Sequence, residues 1–542
     1  MSSGSWIDLL LSTLVTTSST LSLVIATVAI IVFYLYQNSN KDDWGRYGMK
    51  CPKVSGNPDS EINFKHSLDA YLKQFGETFG LQHGSKLILV TANLDLWRHI
   101  LIKDFANFVD REPHISSTSP FFKSLFFARG WEWRKHRHIL SPTFTSGKLK
   151  YISKSVQKSA QDLTDFLEKQ AKNGSVVLIK DVCGRYTSEI IAKTAFGLDA
   201  KFIGQQDVEF YDYSKNMIDF KNRRGISKFI ADSLARIPYV AKMSTEVFGL
   251  QYYDPVNLTA NKYFDVILNN TIRERRLQQK TGIERPHSDL LDLLLKANEE
   301  AEAGNLEKAE ELESIQESSD APKLIQKLGD EEMLGHSMLV IFAGMETTAT
   351  TLQMCLYELA AHPDVQDKVF EEITSIVKHE PPTSEELNSL TYIQQVLDET
   401  LRLYPPVASA KRIALETRTY NGVTIPKGTT VVLPYFYALK DPRMFQDPEK
   451  FDPNRFSPEE KEKRDPLAFA AFGHGPRICL GMRLAYLELK QGLVHVIRKL
   501  RVVLNDKTEP QKGSGGVVFK EHNLLVPEKP VALAFELREV KQ

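Results

Sequence analysis

The sequence predicts a mainly helical protein with small antiparallel β-sheets, a single large domain behind an N-terminal transmembrane helix. Three observations carry this. Residues 9 to 40 contain no charged side chain. Past residue 60, apolar residues recur at helical spacing, broken by polar, Pro- and Gly-containing connectors. The β signals gather late, around an Asn421-Gly422 pair set between alternating β-formers. No alternating strand–helix pattern of a nucleotide-binding fold runs through the chain.

The first element is the apolar run "LSLVIATVAIIVFYLY", residues 21 to 36. With its Ser and Thr flank it suffices for a helix of about 20 residues across a bilayer, placed at about residues 14–36. A cleaved signal peptide is the alternative, but it needs a basic region ahead of a short apolar core, and no Lys or Arg precedes Lys41. Lys41, Arg46, Lys50 and Lys53 follow the span and only Asp8 precedes it, so the large domain is expected on the cytosolic side. Residues 1–45 are read as the anchor and 46–542 as the folded domain.

The net charge of −1 gives no global field that would select nucleic acid. Cys51, Cys183, Cys355 and Cys479 are far apart and form no CxxC pair, which argues against a zinc cluster and a disulfide scaffold. The acidic stretch 297–323 reads as a solvated loop or surface helix, with a partner-binding segment as the alternative.

The decisive stretch is "FGHGPRICLG", residues 472 to 481. The run after it, "LGMRLAYLELKQGLVHVIRKL", has apolar residues at helical spacing, so Cys479 stands just before a helix N-terminus, where a thiolate is favoured. Gly473, Gly475 and Gly481 allow a tight turn that brings amide donors toward the sulfur. Arg477 offers a fixed positive charge to an anionic ligand. An inert buried cysteine is the competing reading. One cysteine cannot hold an iron–sulfur cluster or a structural zinc, which take about four ligands. One thiolate suffices as an axial ligand to a haem iron.

Phe472, Gly473, Gly475, Arg477, Cys479 and Gly481 form F-G-x-G-x-R-x-C-x-G, which resembles the haem-ligand signature of the cytochrome P-450 family. The resemblance implies Cys479 as axial ligand to haem b, with Phe472 and Arg477 in the cofactor-binding loop. In "WEWRKHRHIL", Trp133 and Arg137 lie four apart on one helical face, similar to the family's propionate-binding W-x-x-x-R; Arg412, ten residues after Arg402, matches a second propionate arginine. Arg134 and Lys135 are expected to face solvent, as part of a docking patch for an acidic reductase or as a merely solvated face. In "ETLR", Glu399 and Arg402 share a helical face. With Arg455 of "FDPNRF" they resemble the family's structural Glu-Arg-Arg network.

"VIFAGMETTATTLQMCLYELAAH" reads as a long buried helix. Gly344 costs it about 1 kcal/mol relative to Ala, which suggests close approach of something flat, a locally opened turn, or a packing contact with another helix. The Thr347 hydroxyl can bond the Ala343 carbonyl or leave it open to water. A-G-x-E-T-T resembles the family's oxygen-activating helix, which implies that Glu346 and Thr347 deliver protons.

"SPTFTSGKLK", "IPKGT", "DPEKFDPNRF" and "VPEKPV" look like the microsomal branch that includes the family 3 enzymes. That resemblance implies a monooxygenase of the endoplasmic reticulum membrane, single-pass with a cytosolic catalytic domain. It would insert one oxygen atom from dioxygen into a lipophilic small molecule. Electrons would come from NADPH through a reductase, with cytochrome b5 as a further partner. Residues 119–130, 205–255 and 405–410 and the turn near Val518 are expected to line the pocket. A reductase-independent haem-thiolate isomerase or dehydratase, and a non-enzymatic haem-binding carrier, are the alternatives.

Overall fold

The computed structural model describes residues 44–52, 65–83, 86–111, 119–217, 257–282, 289–302, 327–510, 517–519 and 524–538. The expected anchor helix, all of the acidic stretch beyond residue 302 and most of the 205–255 pocket region lie outside these residues.

The longer helices are α1 (Lys65–Phe75), α2 (Gly130–Leu140), α3 (Ser146–Lys172), α4 (Ile179–Phe196), α5 (Leu258–Lys280), α6 (Leu290–Glu302), α7 (Asp330–Ala361), α8 (Pro363–Ile376), α9 (Thr391–Leu403) and α10 (Met482–Lys499). The strands are short: β1 (Thr78–His83), β2 (Lys86–Thr91), β3 (Val177–Leu178), β4 (Ala410–Ile413), β5 (Arg418–Tyr420), β6 (Val423–Ile425), β7 (Thr430–Leu433), β8 (Leu500–Val503) and β9 (Ala532–Leu537). The described residues fall into two compact units. One runs to Asn93 and includes Ala414–Val432; the other comprises Leu94–Ile413 and Leu433 onward.

In the smaller unit, β1 pairs antiparallel with β2, and β2 pairs parallel with β7 through Ile88↔Thr430 to Val90↔Val432. The parallel pair departs from the expected antiparallel sheets. Parallel strands need a crossover, and here the partner lies so far along the chain that no local pattern signals it. Trp44 is fully buried, its Nε1 donating to the Leu81 carbonyl at 2.9 Å. Gly80 makes room for it: a Cβ there would lie 2.6 Å from the indole. The expected hairpin is β5–β6. Asn421 (φ 49°) and Gly422 (φ 81°) both take positive φ, as a two-residue type I′ turn requires.

The larger unit is helical, with one antiparallel sheet in the order β3–β9–β8. Its core is built on α7. Cys183 of α4 and Cys355 of α7 are buried in it among Val, Ile and Leu, and burial pushes each thiol up to about 12, as for small inert hydrophobes. α7 is long and apolar enough to cross a membrane, yet most of its apolar stretch is buried in the fold. Gly344 is a packing glycine, since a Cβ there would meet Ile191 Cδ1 of α4 at 2.6 Å. That contact is the helix–helix packing among the expected alternatives.

Candidate haem-thiolate site

The loop ahead of α10 is wound tightly by its glycines. Gly473 (φ 73°) and Gly475 (φ 71°) occupy backbone that other residues rarely adopt. A Cβ on Gly475 would also lie 1.8 Å from the Leu101 carbonyl oxygen, so that position admits glycine alone. Gly481 differs: its φ is −84° and it serves as N-cap of α10. The Cys479 amide donates to the Phe472 carbonyl at 2.9 Å, and Ile478 N–H to Gly475 O at 2.9 Å, closing the turn. Phe472 packs its ring against Tyr486 at 5.2 Å.

Cys479 is the one exposed cysteine, though protein atoms lie close round its sulfur. Burial pushes its thiol up; the Gly481 amide and the charges of Arg137 and Arg111 pull it down. A cation at the sulfur would deprotonate it outright.

Four arginines surround this loop. Arg137 of α2 donates from Nη1 to the Ile478 carbonyl at 2.9 Å. Arg477 donates from Nη2 to the Ala128 carbonyl at 2.6 Å and lies 4.8 Å over the Trp133 ring. Trp133 is buried and edge-on to Phe105 at 5.3 Å, so it shelves Arg477. Arg412, on β4, is 2 % exposed. Arg111 lies over the Phe126 ring at 3.9 Å.

These arginines depress one another. Burial and then Arg111 and Arg412 push Arg477 down to about 7; burial and then Arg412 push Arg111 down to about 9. Asp110, Tyr435 and Cys479 are the acidic groups in their field. Nε of Arg412, Nε of Arg477 and Nη1 of Arg111 are buried with no hydrogen-bond partner among the described residues. A buried surplus of cations with unmet donors calls for a ligand carrying carboxylates or phosphates. The two propionates of a haem meet that demand, and a lone thiolate on the same loop meets the need for an axial ligand.

A Cytochrome P450 family model matches residues 58–533. The chain belongs to the cytochrome P450 family. It is similar to cytochrome P450 3A41 of Mus musculus, at 30% identity over 527 residues, covering 95% of this chain and 97% of that one. It is 29% identical over 528 residues to cytochrome P450 3A5 of Homo sapiens, covering 95% and 96%. It is 28% identical over 525 residues to a lithocholate 6-beta-hydroxylase of Mesocricetus auratus, covering 95% and 96%. This protein is therefore a cytochrome P450 monooxygenase, a mainly helical haem enzyme.

A second polar centre of this P450 lies on α7. Thr347 Oγ1 donates to the Ala343 carbonyl at 2.7 Å, the first of the two arrangements expected for it. Ala343 is exposed although Ile341 and Met345 beside it are buried, which marks an open face on a core helix. Glu346 pairs with Lys180 of α4 at 2.8 Å, and the same ammonium donates to Thr350 Oγ1 at 2.8 Å.

Lys135 departs from the sequence expectation. It does not face solvent: its side chain is 12 % exposed and paired with Glu332 of α7 at 2.7 Å. Arg134 is half-buried, and burial lowers it. Lys135 and His136 of α2 both reach Glu332 of α7. Arg111, Tyr435 and Lys180 were missed by sequence reasoning. They stand in no spaced motif, and Arg111 in "FVDREPH" carries no signal beyond its own charge.

Glu399 and Arg402 form the expected pair, both fully buried, through Nε–Oε2 at 2.7 Å and Nη2–Oε1 at 2.8 Å. Arg455 Nε stands 3.4 Å from Glu399 Oε1. Phe121, Phe122, Phe126 and Phe127 form one aromatic cluster, with Phe121 edge-on to Phe342 of α7 at 5.6 Å.

Proposed function

We propose that this P450 oxidises a lipophilic small molecule, drawing electrons from NADPH through a membrane reductase, with cytochrome b5 as an auxiliary donor. Its place is the endoplasmic reticulum membrane, single-pass, with residues 46–542 on the cytosolic side. The observation that carries the site assignment is the convergence of Arg111, Arg137, Arg412 and Arg477 on the Cys479 loop. Cys479 Sγ would ligate the haem iron, its thiolate favoured by the Gly481 amide at the N-terminus of α10. The four guanidinium groups would hold the propionates, and Trp133 shelves Arg477 for that role. The haem supplies dioxygen activation and oxygen insertion.

The chain's own part is to place substrate and move protons. Thr347 Oγ1 holds a proton that it now gives to the Ala343 carbonyl, and a change of its rotamer releases that proton toward the open face at Ala343. Glu346, one residue before it and tethered by Lys180, is the acid that resupplies it. The aromatic cluster supports an apolar substrate. A relative named as a lithocholate 6-beta-hydroxylase is a small-molecule hydroxylase by its name. The pair Glu346–Thr347 favours oxygen chemistry over a haem-thiolate isomerase or dehydratase, which needs no proton delivery to dioxygen.

The test is dioxygen uptake by the holoenzyme in vesicles with NADPH and reductase, using ligands chosen by a screen for haem spin-state shifts. Uptake that requires both NADPH and reductase is expected. Turnover of a ligand with neither present overturns the reading in favour of the isomerase. In Thr347→Ala, NADPH use should continue while the share recovered as oxidised product falls by roughly tenfold or more, the scale of a lost general acid; unchanged coupling removes Thr347 from the mechanism.

A further inference from the structure

The aromatic segment 119–127 is fastened to two parts of the fold, the Cys479 loop and α7, and the second fastening has no part in the chemistry described above. At its C-terminal end, Arg477 reaches the Phe126 and Ala128 carbonyls at 3.5 and 2.6 Å, and Arg111 covers the Phe126 ring. Between Pro120 and Leu125 the segment lies on the first turns of α7. The Leu125 amide donates to His336 Nδ1 at 3.2 Å. A Cβ on Gly335 would lie 2.2 Å from the Pro120 carbonyl oxygen, so the backbone of the segment rests on that glycine. Lys123 pairs with Glu331, but both are exposed, and such pairs add little.

His336 is 1 % exposed. Accepting at Nδ1 makes it the neutral tautomer with its proton on Nε2. Its ring is set by a chain of contacts that reaches α2: His136 stands edge-on to it at 4.7 Å, His136 Nε2 meets Glu332 Oε1 at 2.9 Å, and Lys135 donates to the same carboxylate. One turn and a half further along α7, Phe342 meets Phe121 of the segment. The helix that carries the latch thus also carries the aromatic contact that the latch positions.

We propose that His336 is a specificity-determining positioning residue: it latches the Phe121–Phe127 segment to α7 and so fixes the aromatic wall that substrate meets. The wall's meeting substrate rests on the function proposed above; the latch itself does not.

The test uses the full-length holoenzyme and two variants. His336→Phe keeps a ring and loses the acceptor, whereas His336→Asn keeps an acceptor at the position of Nδ1. Hydrogen exchange across residues 119–127 is followed by mass spectrometry. Binding of imidazole, 4-phenylimidazole and a bulkier arylimidazole is followed by the haem spectrum. In His336→Phe, exchange should rise about tenfold, the scale of one buried amide left unpaired, and the affinity ratio of bulky to small imidazoles should change severalfold. His336→Asn should restore both. Unchanged exchange in His336→Phe overturns the latch. Faster exchange with an unchanged affinity ratio overturns the role in specificity and leaves the oxygenase reading untouched. Loss of the thiolate-type carbonyl spectrum in both variants also overturns the proposal, because His336 would then support the haem site. Should His336→Phe fail to fold, Gly335→Ala drives a methyl group against the Pro120 carbonyl and should change the same ratio; an unchanged ratio there counts against the wall.

Discussion

Arg402 and the arginines around Cys479 are both buried, and the fold treats them in opposite ways. At Arg402 the guanidinium is satisfied by protein alone. Nε and Nη2 grip Glu399, Nη1 donates to the carbonyls of Leu439 and Pro448, and Nη2 also reaches that of Lys450. At the Cys479 loop, donors on Arg111, Arg412 and Arg477 are left over. The residue type is the same, and Arg412 and Arg477 lie nearly as deep as Arg402. What separates a brace from a binding site is the charge each arginine faces: Arg402 faces Glu399, whereas Arg111, Arg412 and Arg477 face mainly one another.

The largest effect is expected at Glu399. Its carboxyl is lifted by burial against the pull of Arg402, so the pair fixes a conformation more than it stabilises one. Removing one partner is another matter: Glu399→Ala strands Arg402 and should cost about 3–5 kcal/mol in a denaturant melt, with or without haem. Wild-type stability and normal haem incorporation in that variant would refute the brace.

Glu332 is a satisfied carboxylate of the same kind. Burial alone would raise it, but hydrogen bonds from His136, Lys135 and the Gly329 amide outweigh this and hold it down to about 2. A depressed carboxyl stabilises the fold above its unfolded value of 4.5, and that contribution fades as pH falls toward about 2. Glu332→Gln should therefore lose up to about 3 kcal/mol at neutral pH and show a flatter stability profile between those limits. An unchanged profile contradicts the clasp.

Arg412→Met sharpens the comparison by reversing sign. Without haem, deleting a buried unpaired cation should stabilise the protein by about 1–2 kcal/mol. With haem, the same variant should release the cofactor more readily. Arg402→Met should destabilise both forms. Arg412→Met that weakens the haem-free protein would place that arginine with the braces.

The smallest effect concerns His336, which burial, with His136 next, keeps well below the ordinary histidine range. A base depressed by folding stabilises fully above about pH 6.5 and loses that contribution as pH falls, because the unfolded chain then binds the proton. His336→Asn should remove up to about 1.4 kcal/mol per pH unit from the acid limb below pH 6.5. An acid limb identical to wild type would mean that His336 is charged in the fold.

Much of this was legible in the sequence because it depended on local geometry. The Asn421-Gly422 turn, the i, i+3 pair Glu399–Arg402 and the glycine-wound loop before α10 are set by residues close in the chain. What stayed hidden depended on distant partners. The parallel pairing of β2 with β7, the turn of Lys135 inward to Glu332, the Ile191 contact that explains Gly344 and the placement of Arg111 are all decided by packing. Gly335 and His336 form no motif, and their meaning appears only when Pro120 and Leu125 are seen against them.

One spectrum bears on the central claim most directly. Purified full-length protein, reduced and exposed to carbon monoxide, should show the red-shifted Soret band of thiolate ligation, and Cys479→Ala should lose it. A preparation without haem, an adduct without that band, or a band that survives in Cys479→Ala would contradict the account.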